Sequence, residues 1–99
     1  MFMIFMKFST NKSRAPEFIA GHVDWLKQGF DNGVFDIAGS LQPQLGGGIL
    51  ARAASRAEVE ARVAADPFVI EDVVSAEILE LTPSRTSADF AFLLPGAAA

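Results

Sequence analysis

Ninety-nine residues, 51% hydrophobic and 20% charged, make a single folded domain that is too apolar for a disordered chain. Eight Lys and Arg against twelve Asp and Glu leave a net charge of −4. The basic residues form no cluster, which excludes a phosphate-backbone binder, so nucleic acid is not an expected partner. With no cysteine and one histidine, disulfides, thiolate catalysis and thiolate metal sites are excluded. A zinc site built from several histidines is excluded too, unless carboxylates or a second subunit contribute.

In chain order, Met1 to Met6 form an apolar run without a basic leader segment, and Lys7 ends it before it reaches signal-peptide length. It is also far too short to span a bilayer. The expected protein is cytoplasmic, without a membrane partner. Residues 2 to 8 place Phe2, Ile4, Met6 and Phe8 on one side and Met3 and Phe5 on the other, the pattern of a strand covered on both faces. Residues 9 to 14 are polar and read as a loop. Pro16 suits the first turn of a helix, where its missing N–H costs nothing. Phe18, Ile19, His22, Trp25, Leu26 and Gly29 then recur at three- and four-residue spacing along an amphipathic helix. Asn32-Gly33 ends it, with Gly33 supplying a left-handed cap.

Residues 34 to 40 predict a second strand. Pro43 and the run Gly46-Gly47-Gly48 mark a connection into a third strand over 47 to 53. Ser55-Arg56-Ala57-Glu58 fits a capping box, with Ser55 bonding the amide of the third helical residue and Glu58 reaching back. The helix it opens carries Val59 and Val63 and stops near Ala65, because a residue before proline, here Asp66 before Pro67, is pushed out of helical geometry. Residues 68 to 74 read as a turn or short helical piece, and 75 to 82 as the last strand. The order β-α-β-β-α-β is the ferredoxin-like arrangement: an α+β domain over residues 1 to 83, with an antiparallel sheet and two helices on one face. The apolar open face predicts a homodimer packed sheet to sheet. The extension from 84 to 99 carries Phe90 to Leu94, apolar enough to dock on the partner subunit as an extra strand.

His22 falls four residues after Phe18 and four before Leu26, on the apolar stripe, and imidazole is the side chain best suited to exchange protons near neutral pH. Two readings stand at this point: a buried histidine satisfied by one backbone carbonyl, or an acid–base group. Asp24 lies two residues away and points elsewhere on the helix, so it reads as a solvated charge. Asp66 follows Val63 by three and Val59 by seven, on the side expected to face the sheet. It either partners another group or simply forms a turn with Pro67. The glycines at 46 to 48 do not make a phosphate cradle, since no Gly-Lys-Ser/Thr and no helix N-terminus follow. Ser40 lacks a nucleophile elbow but suits a hydrogen bond to a ligand. Trp25 and Phe68 are candidate pocket residues, Trp25 the more so.

The ordered set His22-Val23-Asp24-Trp25-Leu26, Gly33, Ala38-Gly39-Ser40, the glycine-rich entry to Ile49-Leu50-Ala51, and Asp66-Pro67-Phe68 resembles the YciI-like (YCII-related) proteins over roughly residues 2 to 82. The resemblance implies a dimeric α+β barrel of ferredoxin-like subunits and an active-site histidine–aspartate pair at His22 and Asp66. Many members carry proline after the glycine of the second strand, where this chain has Ser40, so substrate preference does not transfer through that position. A few relatives are linked to breakdown of chlorinated hydroxyquinone-type aromatics, and the fold is shared with muconolactone isomerase-like enzymes. The expected protein is therefore a cofactor-independent acid–base enzyme, an isomerase or lyase, acting on a small organic molecule. His22 and Asp66 would be catalytic, Ser40, Trp25 and Phe68 would bind substrate, and no metal is called for. The alternative is a non-catalytic module that binds a small molecule in the same pocket, or a dimerisation scaffold without one.

Overall fold

The computed structural model describes residues 1–53 and 55–96. Strand β1 (Phe2–Phe8) lies inside a four-stranded sheet of order β2-β3-β1-β4, where β2 is Phe35–Leu41, β3 is Gly46–Ala51 and β4 is Val74–Glu80. All neighbouring strands are antiparallel. Helix α1 (Ala15–Asp31) joins β1 to β2, while α2 (Arg56–Ala64) and the short α3 (Pro67–Ile70) join β3 to β4. Both crossovers therefore step over a strand, which makes the ferredoxin-like fold expected from the sequence.

The register explains the two-sided apolar pattern of β1. Phe2, Ile4 and Met6 are buried and stand opposite Ala51, Ile49 and Gly47 on one flank and Glu80, Ile78 and Ala76 on the other. Residues directly opposite share a face. These positions therefore form the floor on which the helices pack, with Trp25, Val59, Val63 and Phe68 pressing down from above. Met3 and Phe5 point to the other face with Leu50 and Leu79 opposite Met3, and among the described residues the buried core cluster places its helix residues on the first face. At the far edge, a register shift between Phe35 and Ile37 lets Asp36 meet Arg52, which donates from Nε and Nη2 at 2.7 and 2.8 Å.

Local signals account for the element ends. Pro16 lies in the first turn of α1, and Gly33, at φ +72°, turns the chain after it. The Ser55 hydroxyl accepts the Glu58 N–H, as a capping serine should. Asp66 is extended, at φ −68° and ψ 125°, and caps α3 with its own carboxylate. Two expectations are corrected. Strand β3 runs Gly46–Ala51, starting one residue before and ending two before the expected 47 to 53, because pairing with β1 and β2 holds the Gly46 backbone as well. The C-terminal apolar run is not a strand: Ala88–Leu93 forms a 3-10 helix whose exposed Phe92 lies under the Arg52 guanidinium, 5.2 Å from its ring centre. Among the described residues, no helix is long and apolar enough to cross a membrane.

Candidate active site

His22 projects from the second turn of α1 toward the start of α3. Two features let α1 come that close. Gly21 has no side chain, and a Cβ there would sit 3.0 Å from the Pro67 ring. Pro67 in turn opens α3 and fixes Asp66 in an extended conformation just before it. The two segments meet as a hydrogen bond: His22 Nδ1 lies 2.9 Å from Oδ1 and 3.1 Å from Oδ2 of Asp66.

Asp66 has no exposed surface, and its backbone and side chain are both engaged. Its amide donates to the Val63 carbonyl, its own carbonyl accepts from Val69 and Ile70, and Oδ1 also accepts the Phe68 N–H at 3.1 Å. When the Asp66 carboxylate is ionised it can only accept, and His22 Nδ1 then supplies the proton of this contact. Among the described residues, no protein group bonds Nε2. The imidazole is further held by Phe68, whose ring lies parallel to it at 4.1 Å and 4°. Trp25 stacks at 5.8 Å and 24°.

Beside His22 opens a cavity of about 340 Å³ between α1, α3 and the helix-covered face of the sheet. Its walls are apolar, including Met6, Ile19, Leu26 and Phe68. The polar side chains on it are His22 and Ser40, and no lining side chain carries a fixed charge. Ser40 stands opposite Gly47 across the β2–β3 pairing and is exposed at the cavity mouth.

The sequence-predicted residues thus divide. His22, Asp66, Phe68 and Ser40 are brought to one place. Trp25 is not on the cavity wall: it is buried, with Nε1 donating to the Arg62 carbonyl at 2.9 Å, so it backs the histidine from inside the core. Asp24 is exposed and accepts from Gln28, as its helix position required. Gly21 escaped notice. Gly21 had a readable signal, since a glycine inside a helix weakens it by about 1 kcal/mol relative to alanine and asks for a packing reason.

The fold and the cavity together define a ferredoxin-like domain with an oriented histidine at the edge of an apolar pocket. The chain belongs to the family of YCII-related domains, whose family model matches residues 1–82. Among solved structures, the fold is similar to 5-chloro-2-hydroxyhydroquinone dehydrochlorinase (TftG) from Burkholderia phenoliruptrix AC1100, determined in complex with 2,5-dihydroxybenzoquinone. The likeness has a TM-score of 0.67 at 15% identity and covers 83% of this chain and 94% of that one. No curated protein matches the sequence.

Proposed function

We propose that this protein is a cofactor-independent acid–base enzyme of the isomerase or lyase type, acting on a small organic molecule in the cavity beside His22. The observation that carries the reading is the pairing of His22 Nδ1 with the fully buried Asp66. A carboxylate that accepts a hydrogen bond from Nδ1–H fixes the tautomer, so the Nε2 lone pair is the one available to a substrate. Asp66 also stabilises the imidazolium once Nε2 has taken a proton.

In an elimination, Nε2 removes a proton from an O–H or C–H group of the substrate. The released electron pair forms a new π bond, and a leaving group departs with its own bonding pair. The imidazolium then returns the proton to solvent. In an isomerisation it returns the proton to a different carbon. Ser40 would hold a substrate oxygen at the cavity mouth, and the apolar wall beside His22 favours an apolar ring. That a protein of similar fold is by name a dehydrochlorinase, and binds a dihydroxybenzoquinone, supports a one-ring oxygenated substrate.

Turnover tests this. Halogenated and hydroxylated benzenes, 5-chloro-2-hydroxyhydroquinone among them, are incubated with the protein and followed by absorbance and halide release. His22→Ala should retain affinity and lower kcat by roughly 10²- to 10⁴-fold, the usual contribution of a positioned base. Binding without turnover in the parent protein would favour the ligand-binding module instead.

The proposal includes a homodimer. The uncovered face bears Met3, Phe5 and Leu50, with Ile37 and Leu79 each close to half exposed, and a second copy packed sheet to sheet would bury them. The extension carrying Phe90 and Phe92 then reaches the partner. Light scattering at micromolar concentration should give twice the chain mass; the mass of a single chain would rule the dimer out.

A further inference from the structure

The three glycines of β3 have different reasons to be glycine. Gly46 is at φ +135°, and a Cβ on it would lie 1.9 Å from the Met6 carbonyl oxygen, so the backbone itself requires it. Gly48 faces the uncovered side of the sheet opposite Phe5, and a Cβ there would press on Leu41 at 3.2 Å. Gly47 has neither constraint. Its φ is ordinary, and a Cβ would meet only the Gly39 carbonyl oxygen, at 3.4 Å.

A glycine within a strand weakens it, by about 0.5–1 kcal/mol relative to alanine, and often marks a place where a ligand approaches the backbone. The register says where that place is. Gly47 stands between Met6 of β1 and Ser40 of β2, all on the helix-covered face, and all three line the cavity beside His22. A side chain at 47 would rise from the cavity floor. Its neighbour Ala38, also on that face, is small as well.

We infer that Gly47 is a specificity-determining residue: the bare backbone at this position is the seat of a flat, ring-sized apolar part of the ligand, and its missing side chain sets the depth of the cavity. The inference rests on the reading of this cavity as the working site. A β-branched side chain at 47 suits the strand and fills the seat, so the fold survives while ring-sized molecules are shut out.

The chain's single histidine makes the test specific, because any imidazole adduct is at His22. Two reagents of different size are compared on the full chain, with peptide mapping by mass spectrometry. Diethyl pyrocarbonate is small and open-chained. p-Bromophenacyl bromide carries an aromatic ring and alkylates imidazole through its methylene carbon as bromide leaves. Both should modify the parent protein. Gly47→Val should slow the ring-bearing reagent at least about ten-fold and change the small one by less than roughly three-fold, a discrimination of the size a filled apolar pocket gives. Thermal unfolding of the variant should stay near that of the parent. Should the Gly47→Val chain fail to fold, Gly47→Ala carries the same test with a rate-ratio shift of about three-fold. Rates that hold, or that fall together, in a folded variant overturn the role of Gly47 alone. A parent protein whose His22 resists both reagents overturns the cavity reading, and this inference with it.

Discussion

The helix-covered face of the sheet is one surface with two halves of opposite character. Over β1 and β4 it is filled: Phe2, Ile4, Met6 and Val74 are buried under the helices. Over β2 and the start of β3 it is bare, with Ala38, Ser40 and Gly47 at the equivalent positions. The contrast between them is one of side-chain volume, so the cavity is written into the sequence as a set of small residues. His22 and Asp66 stand on the boundary, anchored from the filled side.

The largest expected effect breaks the filled half. Ile4 is 1% exposed at its centre, and Ile4→Ala should lower the unfolding free energy by about 2–5 kcal/mol, read from urea denaturation curves. A second variant sharpens the contrast between two kinds of glycine. Gly29 of α1 is covered by the Phe35 ring, which a Cβ would meet at 2.1 Å, and Phe35 is itself wedged against Trp25 and Phe30. Despite alanine's better helix propensity, Gly29→Ala should therefore destabilise the protein, by about 1–3 kcal/mol of overpacking, in the same urea assay. The smallest effect belongs to the bare half. Ser40→Ala removes a hydroxyl at an exposed position and should leave stability within about 0.5 kcal/mol while weakening ligand binding, as calorimetry would record. A large stability loss there would mean that the bare half is core after all.

Much of this division was legible from the residues. The apolar run on both alternating faces identified β1 as a strand, and spacing put His22 on the inner side of its helix. Asp66 before Pro67 marked a helix end turned toward the sheet. These signals are local and periodic, and they survive folding because they are what the fold is built from. Two matters were hidden. An apolar stripe does not distinguish a residue lining a cavity from one behind it, so Trp25, the stronger pocket candidate by chemistry, lies in the core while Phe68 reaches the wall. A glycine triplet signals a turn by composition, yet strand pairing on both sides overrides that preference and sets Gly47 on the cavity floor. The apolar tail differs in form: within the chain Ala88–Leu93 takes a 3-10 helix.

The place of β1 in the sheet bears on how the chain is made. β1 pairs with β3 and with β4, and the register brings Phe2 opposite Glu80. The first of the sheet's four strands in chain order is thus among the last to be closed, because its second partner is the fourth. Until then a short, strongly apolar segment stands with an open edge, the feature that draws nascent chains into aggregation or toward chaperones. For this protein the hazard of synthesis and the centre of the finished sheet are the same seven residues.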